Sequence, residues 1–205
     1  RIIANVEVDG KRMRIMGPGG IPAMPRVGVD LTPLSTIYHY EAMGIRLTMT
    51  FTSPLLPDDL DILSTPISFV RFGVEFIDGK QHKVAINFGC NETFVHAGEV
   101  APKLRSDDFS DDVLKYAYLG QMKQNPLSGA GDQLSIDWGY LFFAADEGEV
   151  NNNPESVYNV LRFHTCHEEP FNATLMVGYD DVASINYFGA LLPAYYARNG
   201  KTITQ

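Results

Sequence analysis

The sequence predicts a mainly β protein, an antiparallel β-sandwich with little helix and with helical turns near the C-terminus. Apolar and polar residues alternate with a period of two in several short runs, the pattern of strands with one buried and one solvated face. Leu47, Met49 and Phe51 against Thr48, Thr50 and Thr52 are one such run. Turn signals fall between the runs, among them Asp9-Gly10 and Asp78-Gly79-Lys80,. The chain of 205 residues also carries 12 Phe, 10 Tyr and 1 Trp, an aromatic share that suits strands better than helices.

Taken in order, the first element is a hairpin. Val6 and Val8 flank Glu7, Asp9-Gly10 makes the turn, and Met13 and Ile15 continue with Arg12 and Arg14 between them,. Gly17-Pro18-Gly19-Gly20 breaks the chain. It lacks the following Lys-Ser/Thr of a phosphate cradle and reads as a turn. Residues 27–31 form a strand, and 36–41 with 45–52 form a hairpin around Ala42-Met43-Gly44. Residues 67–77 and 83–88 read as a further hairpin around Asp78-Gly79-Lys80. Between 52 and 67, Pro54, Pro57 and Pro66 surround Asp58, Asp59 and Asp61. Proline fixes the backbone and cannot donate to a ladder, so this segment is a shaped crossing between strands.

Residues 106–112 hold four aspartates and read as a solvated loop, followed by a strand over 113–119. Residues 134–145 are aromatic and strand-like, 147–155 are acidic and Asn-rich loop, and 158–165 and 173–179 are strands. Beyond Asp181 the period changes. Val182, Ile185, Phe188, Leu191, Leu192 and Tyr195 recur at three- and four-residue steps, which predicts helical turns interrupted by Gly189 and Pro193. The tally is roughly nine to twelve strands. The organisation that follows is one sandwich over 1–178 and a C-terminal tail over 179–205.

The net charge of −9 argues against nucleic-acid and anionic-membrane partners, which need basic patches. No apolar run approaches the ~20 residues of a transmembrane helix. The chain opens at Arg1 and stops at Gln205 as the helical pattern begins, as expected of a piece excised from a longer protein.

Several clusters carry residue types capable of chemistry. Asp58, Asp59 and Asp61 offer carboxylates to a hard cation, but calcium-loop spacing is missing,. The expectation is no metal, with these groups capping backbone amides. His164, Cys166 and His167 lack a second ligand cluster for tetrahedral zinc, so a satisfied strand-end histidine is expected. No Gly-X-Ser-X-Gly turn is present,. Cys90 and Cys166 allow one disulfide and otherwise read as a pair of small buried structural thiols. Asp137 beside Trp138 and Tyr140 is the best sugar-type grouping, though an alternating strand sends Asp137 and Trp138 to opposite faces,. Two Asn-X-Thr sequons begin at Asn91 and Asn172,. Tyr179-Asp180-Asp181 closes the last strand, with an Asp placed to cap a helix or to meet a neighbouring domain,.

Four segments together resemble one family: VDGKRMRIMG, LTMTFTSPLLPDDLDILSTPISFVRF, LSIDWGYLFFA and GYDDVASINYFGALLPAYYARNGKTI. They are similar to the β-sandwich region of glutaminase A-type proteins, in order along nearly the whole chain. The resemblance implies a secreted or cell-envelope protein in which this sandwich precedes an α-helical toroid domain. It also implies a parent activity, hydrolysis of L-glutamine to L-glutamate and ammonia. No catalytic motif can be carried over to this chain. The expectation is therefore a non-catalytic scaffold, without cofactor, whose partner is the helical catalytic domain of the same polypeptide. Asp58, Asp59, Tyr179, Asp180 and Asp181 are its docking candidates. The alternative is a carbohydrate-binding or glycoside-hydrolase-associated sandwich, with a glycan or small molecule as ligand and Trp138 and Tyr140 as stacking rings.

Overall fold

The computed structural model describes residues 2–96, 103–128, 136–152 and 161–205. The first strands are β1 (Ile2–Val8), β2 (Lys11–Met16), β3 (Arg26–Leu31), β4 (Ser35–Ala42) and β5 (Ile45–Thr52). A five-residue helix, α1 (Leu60–Ser64), lies in the connector to β6 (Ile67–Phe76). There follow β7 (Val84–Cys90), β8 (Leu104–Ser110), β9 (Lys115–Gln121) and β10 (Tyr140–Ala145). The order continues with β11 (Glu149–Asn152), β12 (Leu161–His167) and β13 (Phe171–Asp180). A short hairpin, β14 (Ile185–Tyr187) and β15 (Ala190–Leu192), precedes a 3₁₀ turn at Tyr195–Ala197.

Two antiparallel sheets make the sandwich. One holds five strands in the order β11-β12-β7-β1-β2, the other eight in the order β3-β4-β5-β6-β13-β10-β9-β8. The predicted alternation is what builds the core. Ile45, Leu47 and Met49 of β5 point inward and are fully buried, while Arg46, Thr48 and Thr50 face out. Val6 and Val8 of β1, Ile86 and Phe88 of β7, and Leu161 and Phe163 of β12 meet them from the smaller sheet. Phe72 stacks on Phe163 with ring centroids 5.9 Å apart, and Phe88 touches both Phe72 and Phe143. Burial of such rings is the main stabilising contribution.

The structure corrects several expectations. Residues 67–77 and 83–88 are strands, yet not a hairpin: β6 belongs to the larger sheet and β7 to the smaller. The Asp78-Gly79-Lys80 turn is a corner between layers. β7 pairs instead with β1 and β12, placing Phe88 opposite Ala4 and Phe163. The acidic run 106–112 is mostly strand β8, on the edge of the larger sheet. Aspartates suit an edge, where charge discourages further pairing. Part of 147–155 is strand β11, also an edge. The apolar residues after Asp181 form the β14–β15 hairpin, and only Tyr195–Ala197 is helical. Gly189, which interrupted the helical pattern, sits with Phe188 at positive φ in a two-residue turn. That is the geometry a tight hairpin requires. Parts of the runs 134–145 and 158–165 lie outside the described residues.

Cys90 and Cys166 are free. They lie on adjacent strands but pair with Leu161 and Ala85 respectively. Five residues of offset along a strand is about 16 Å, beyond the reach of a disulfide.

Candidate functional site

The predicted docking residues converge on one end of the sandwich, where β5, β6 and β13 exchange their connectors. Asp59 starts α1: its Oδ1 accepts the Ile62 N–H at 3.0 Å, the capping role expected of it. Asp58 is exposed to solvent. Asp61 instead reaches the tail. The Arg198 guanidinium grips it in a two-point ion pair, at 2.6 and 3.1 Å. This bond holds the Asp61 carboxyl below the usual range and raises the guanidinium in turn,. Arg198 also lies 3.8 Å over the Tyr195 ring, a cation–π contact. The connector is thereby pinned to the 3₁₀ turn.

Tyr179, Asp180 and Asp181 shape the entry to the hairpin rather than a helix. Tyr179 points toward the core and donates to the Trp138 carbonyl at 2.6 Å, and burial pushes its phenol up. Asp180 accepts the Val182 N–H at 2.9 Å, and Asp181 accepts the Ser184 hydroxyl at 2.6 Å. Val182 takes a positive φ of 60° at this turn. Beneath it, Gly139 leaves space where a side chain would strike the Asp180 carbonyl. Tyr196 is buried alongside and its phenol is pushed up to about 12, first by burial and then by Asp180 and Asp181.

What this arrangement presents outward is apolar. Phe188 at the hairpin tip is 95% exposed. Ile185, Tyr187, Leu191 and Leu192 are also exposed, as are Leu60, Ile62 and Leu63 of α1. A two-stranded hairpin cannot bury its own faces, and a concentration of exposed large apolar side chains marks an interaction site. After the 3₁₀ turn the chain crosses the outer face of the larger sheet. Ile203 packs on Gly178 there, beside an apolar groove of about 210 Å³ lined by Ile67, Phe142 and Met176.

The residues weighed for catalysis are held in other ways. His164 and Cys166 share the outer face of the smaller sheet, where His164 bonds Asn87 at 3.1 Å. His167 turns the other way, bonding Thr165 at 2.6 Å and stacking on Phe171. The sequence cluster is therefore split, and no group placed to hold a metal is found among the described residues. Burial pushes the Cys90 thiol up to about 12, which leaves it unreactive. Asp137 and Trp138 precede β10 instead of lying in it.

Two features went unread in the sequence. At the opposite end of the sandwich, His82 bridges two aspartates, Asp9 at 2.7 Å and Asp78 at 3.1 Å. The Asp-Gly turns that announced the strands were the only signal for it. On the outer face of β3, β4 and β5, His39 contacts Asp30 at 2.9 Å and Thr48 at 3.4 Å. This set lies on an open sheet surface, and Asp30 is 70% exposed.

A β-sandwich with a tethered, apolar connector end is the class of domain these observations define. The chain belongs to the family described as a domain of unknown function (DUF5127), whose model matches residues 34–168. It is also 25% identical over 146 residues to glutaminase A of Aspergillus oryzae. That alignment covers 69% of this chain and 21% of the relative, so the chain spans about a fifth of the length of the protein it resembles.

Proposed function

We propose that this chain is the non-catalytic docking domain of a larger, extracytoplasmic, glutaminase-type hydrolase. Its occupant is the remainder of the parent polypeptide, an α-helical catalytic domain. The carrying observation is the exposed apolar surface of α1 and of the β14–β15 hairpin, with α1 held to the 3₁₀ turn after the hairpin by the Asp61–Arg198 bond. The relative supports the reading, since most of its length lies outside the matched segment. The chemistry of the surface supports it too: Phe188, Ile185 and Leu191 need a dry, apolar cover. In the parent protein, Asp61 and Arg198 act as positioning residues. They orient the hairpin toward the helical domain and wall one side of its cleft.

The test has two readouts. The isolated chain is assayed for ammonia release from L-glutamine, and efficient turnover refutes the non-catalytic reading. The full-length parent is then compared with its Phe188→Asp variant. Looser packing of the two domains, seen as earlier proteolytic cleavage between them, is expected. Cleavage at an unchanged rate rejects the hairpin as the docking surface.

A further inference from the structure

A second surface has a different chemistry. On the outer face of the larger sheet, strands β8, β9 and β10 line up Phe109, Tyr116, Tyr118, Tyr140 and Phe142. Phe109 stacks on Tyr116 at 4.8 Å, while Tyr118 contacts Tyr140 at 5.7 Å and Phe142 at 5.5 Å. Gly120 is opposite Tyr140 in register. A side chain at Gly120 would run into the Tyr140 ring, so the absence of a Cβ lets that ring lie down on the sheet. Arg105 sits 5.9 Å from the Tyr118 ring centre. The Tyr118 and Tyr140 hydroxyls beside it raise its guanidinium further. Asp107 is paired opposite Tyr118 on the same face and is exposed.

We propose that this face binds a neutral saccharide. The C–H face of a pyranose ring packs on aromatic rings, and its hydroxyls need both donors and acceptors close by. Tyr118, Tyr140 and Phe142 supply the rings, Arg105 the donors and Asp107 the acceptor. From Phe109, which covers the buried Tyr116, to Arg105 the exposed stripe runs four residues of β8, about 13 Å along the strand, room for a short oligosaccharide. A protein partner fits less well here. The exposed side chains of the hairpin, Ile185, Tyr187, Phe188, Leu191 and Leu192, are apolar or aromatic with no charge among them, whereas this stripe mixes rings with a cation and a carboxylate at its edge. The inference is independent of the docking reading, because it uses no residue of α1 or of the hairpin.

The experiment is affinity electrophoresis of the chain through gels holding mixed-linkage β-glucan, xylan, glucomannan or starch, followed by calorimetry on any that retards it. Retardation by at least one is expected. Tyr118→Ala and Arg105→Ala should each weaken it by about tenfold. Thr50→Ala, on the polar part of the same face, should leave it unchanged. Arg105 is exposed, so its variant keeps the test open should Tyr118→Ala unfold. No retardation by any of the four, or retardation that both variants preserve, overturns the proposal. So does protection of Arg105 and Tyr118 in the parent protein by its helical domain with no saccharide binding, which would make the stripe a protein interface.

Discussion

The two ends of the sandwich solve opposite problems. At one end three connectors close on one another. The β1–β2 turn supplies Asp9, the β6–β7 corner supplies Asp78 and His82, and the β4–β5 turn brings Gly44 against them. At the other end, α1 is tied to the 3₁₀ turn that follows the β14–β15 hairpin, and both α1 and the hairpin point apolar side chains outward. Polar groups face inward at the closed end, and apolar groups face outward at the open end. Tight turns serve both purposes. Asp-Gly at Asp9 sets a carboxylate facing His82, whereas Phe-Gly at Phe188 holds a ring away from the protein. The difference separates residues that hold the fold from residues that are free to serve a partner.

Changes at the closed end should therefore act on stability, and changes at the open end on association. Gly44→Val is expected to have the largest effect. Gly44 has φ +80°, and a Cβ there would lie 2.5 Å from the Asp78 carboxylate and 2.6 Å from His82 Nε2. A β-branched residue in that region costs about 2–3 kcal/mol, a fall in Tm of roughly 5–10 °C for a domain of this size. Thermal denaturation of the variant checks it.

The pH dependence of the clamp comes next. Bonds to Asp9 and then Asp78 raise the His82 imidazole. Its contribution is fully present below its ordinary value near 6.5 and disappears as pH rises through the raised folded value. The Asp9 carboxyl is lowered chiefly by His82, and the Asp78 carboxyl by the Lys80 amide and then His82. Their contributions are present above about 4 and disappear as pH falls through the lowered folded values. The clamp should stabilise most between about pH 4 and 6.5. The Tm difference between the native chain and His82→Gln, measured from pH 4 to 9, should peak in that window. A difference flat across the range would sink the idea.

Smaller effects belong to the open end. Arg198→Ala removes an ion pair whose side chains are exposed and screened,. A barely measurable change in Tm is expected, with faster amide exchange in α1 as the connector is released. Phe188→Asp should leave stability within about 0.5 kcal/mol. An unfolding transition shifted by several degrees would show that the hairpin tip supports the fold after all.

The strands were legible wherever local signals and local pairing coincide. The β1–β2 and β4–β5 hairpins follow from alternation and a turn; β4–β5 pairs in unbroken register, and β1–β2 pairs with one register shift between Ala4 and Asn5. The same signals misled at Asp78-Gly79, because which layer a strand joins depends on distant partners. β7 pairs with β1 and β12, about eighty residues away on either side,. The stretch after Asp181 misled for another reason. A hairpin exposed on both faces has no buried side to impose a period of two, so its apolar residues mimicked a helical spacing. Of the three aspartates expected to cap backbone amides, Asp59 does so at Ile62, whereas the Asp61 carboxylate turns to Arg198. Arg198, which completes that contact, carried no local signal across a separation of 137 positions. The ring stripe was half visible in Tyr140, yet its other members reach the surface together only through the β8–β9–β10 registers.

β13 occupies an unusual place in the larger sheet. Among the described residues it lies between β6 and β10 and so joins the β3–β6 half to the β8–β10 half. The segment matched by the family model, 34–168, ends before β13 begins and starts after β1. Those two strands, contributed by the two ends of the chain, stitch a sheet and fill a core that the middle segment cannot complete alone. During synthesis the larger sheet stays in two unjoined halves until residues 171–180 emerge. A protein trimmed to the matched segment would expose the inner edges of both.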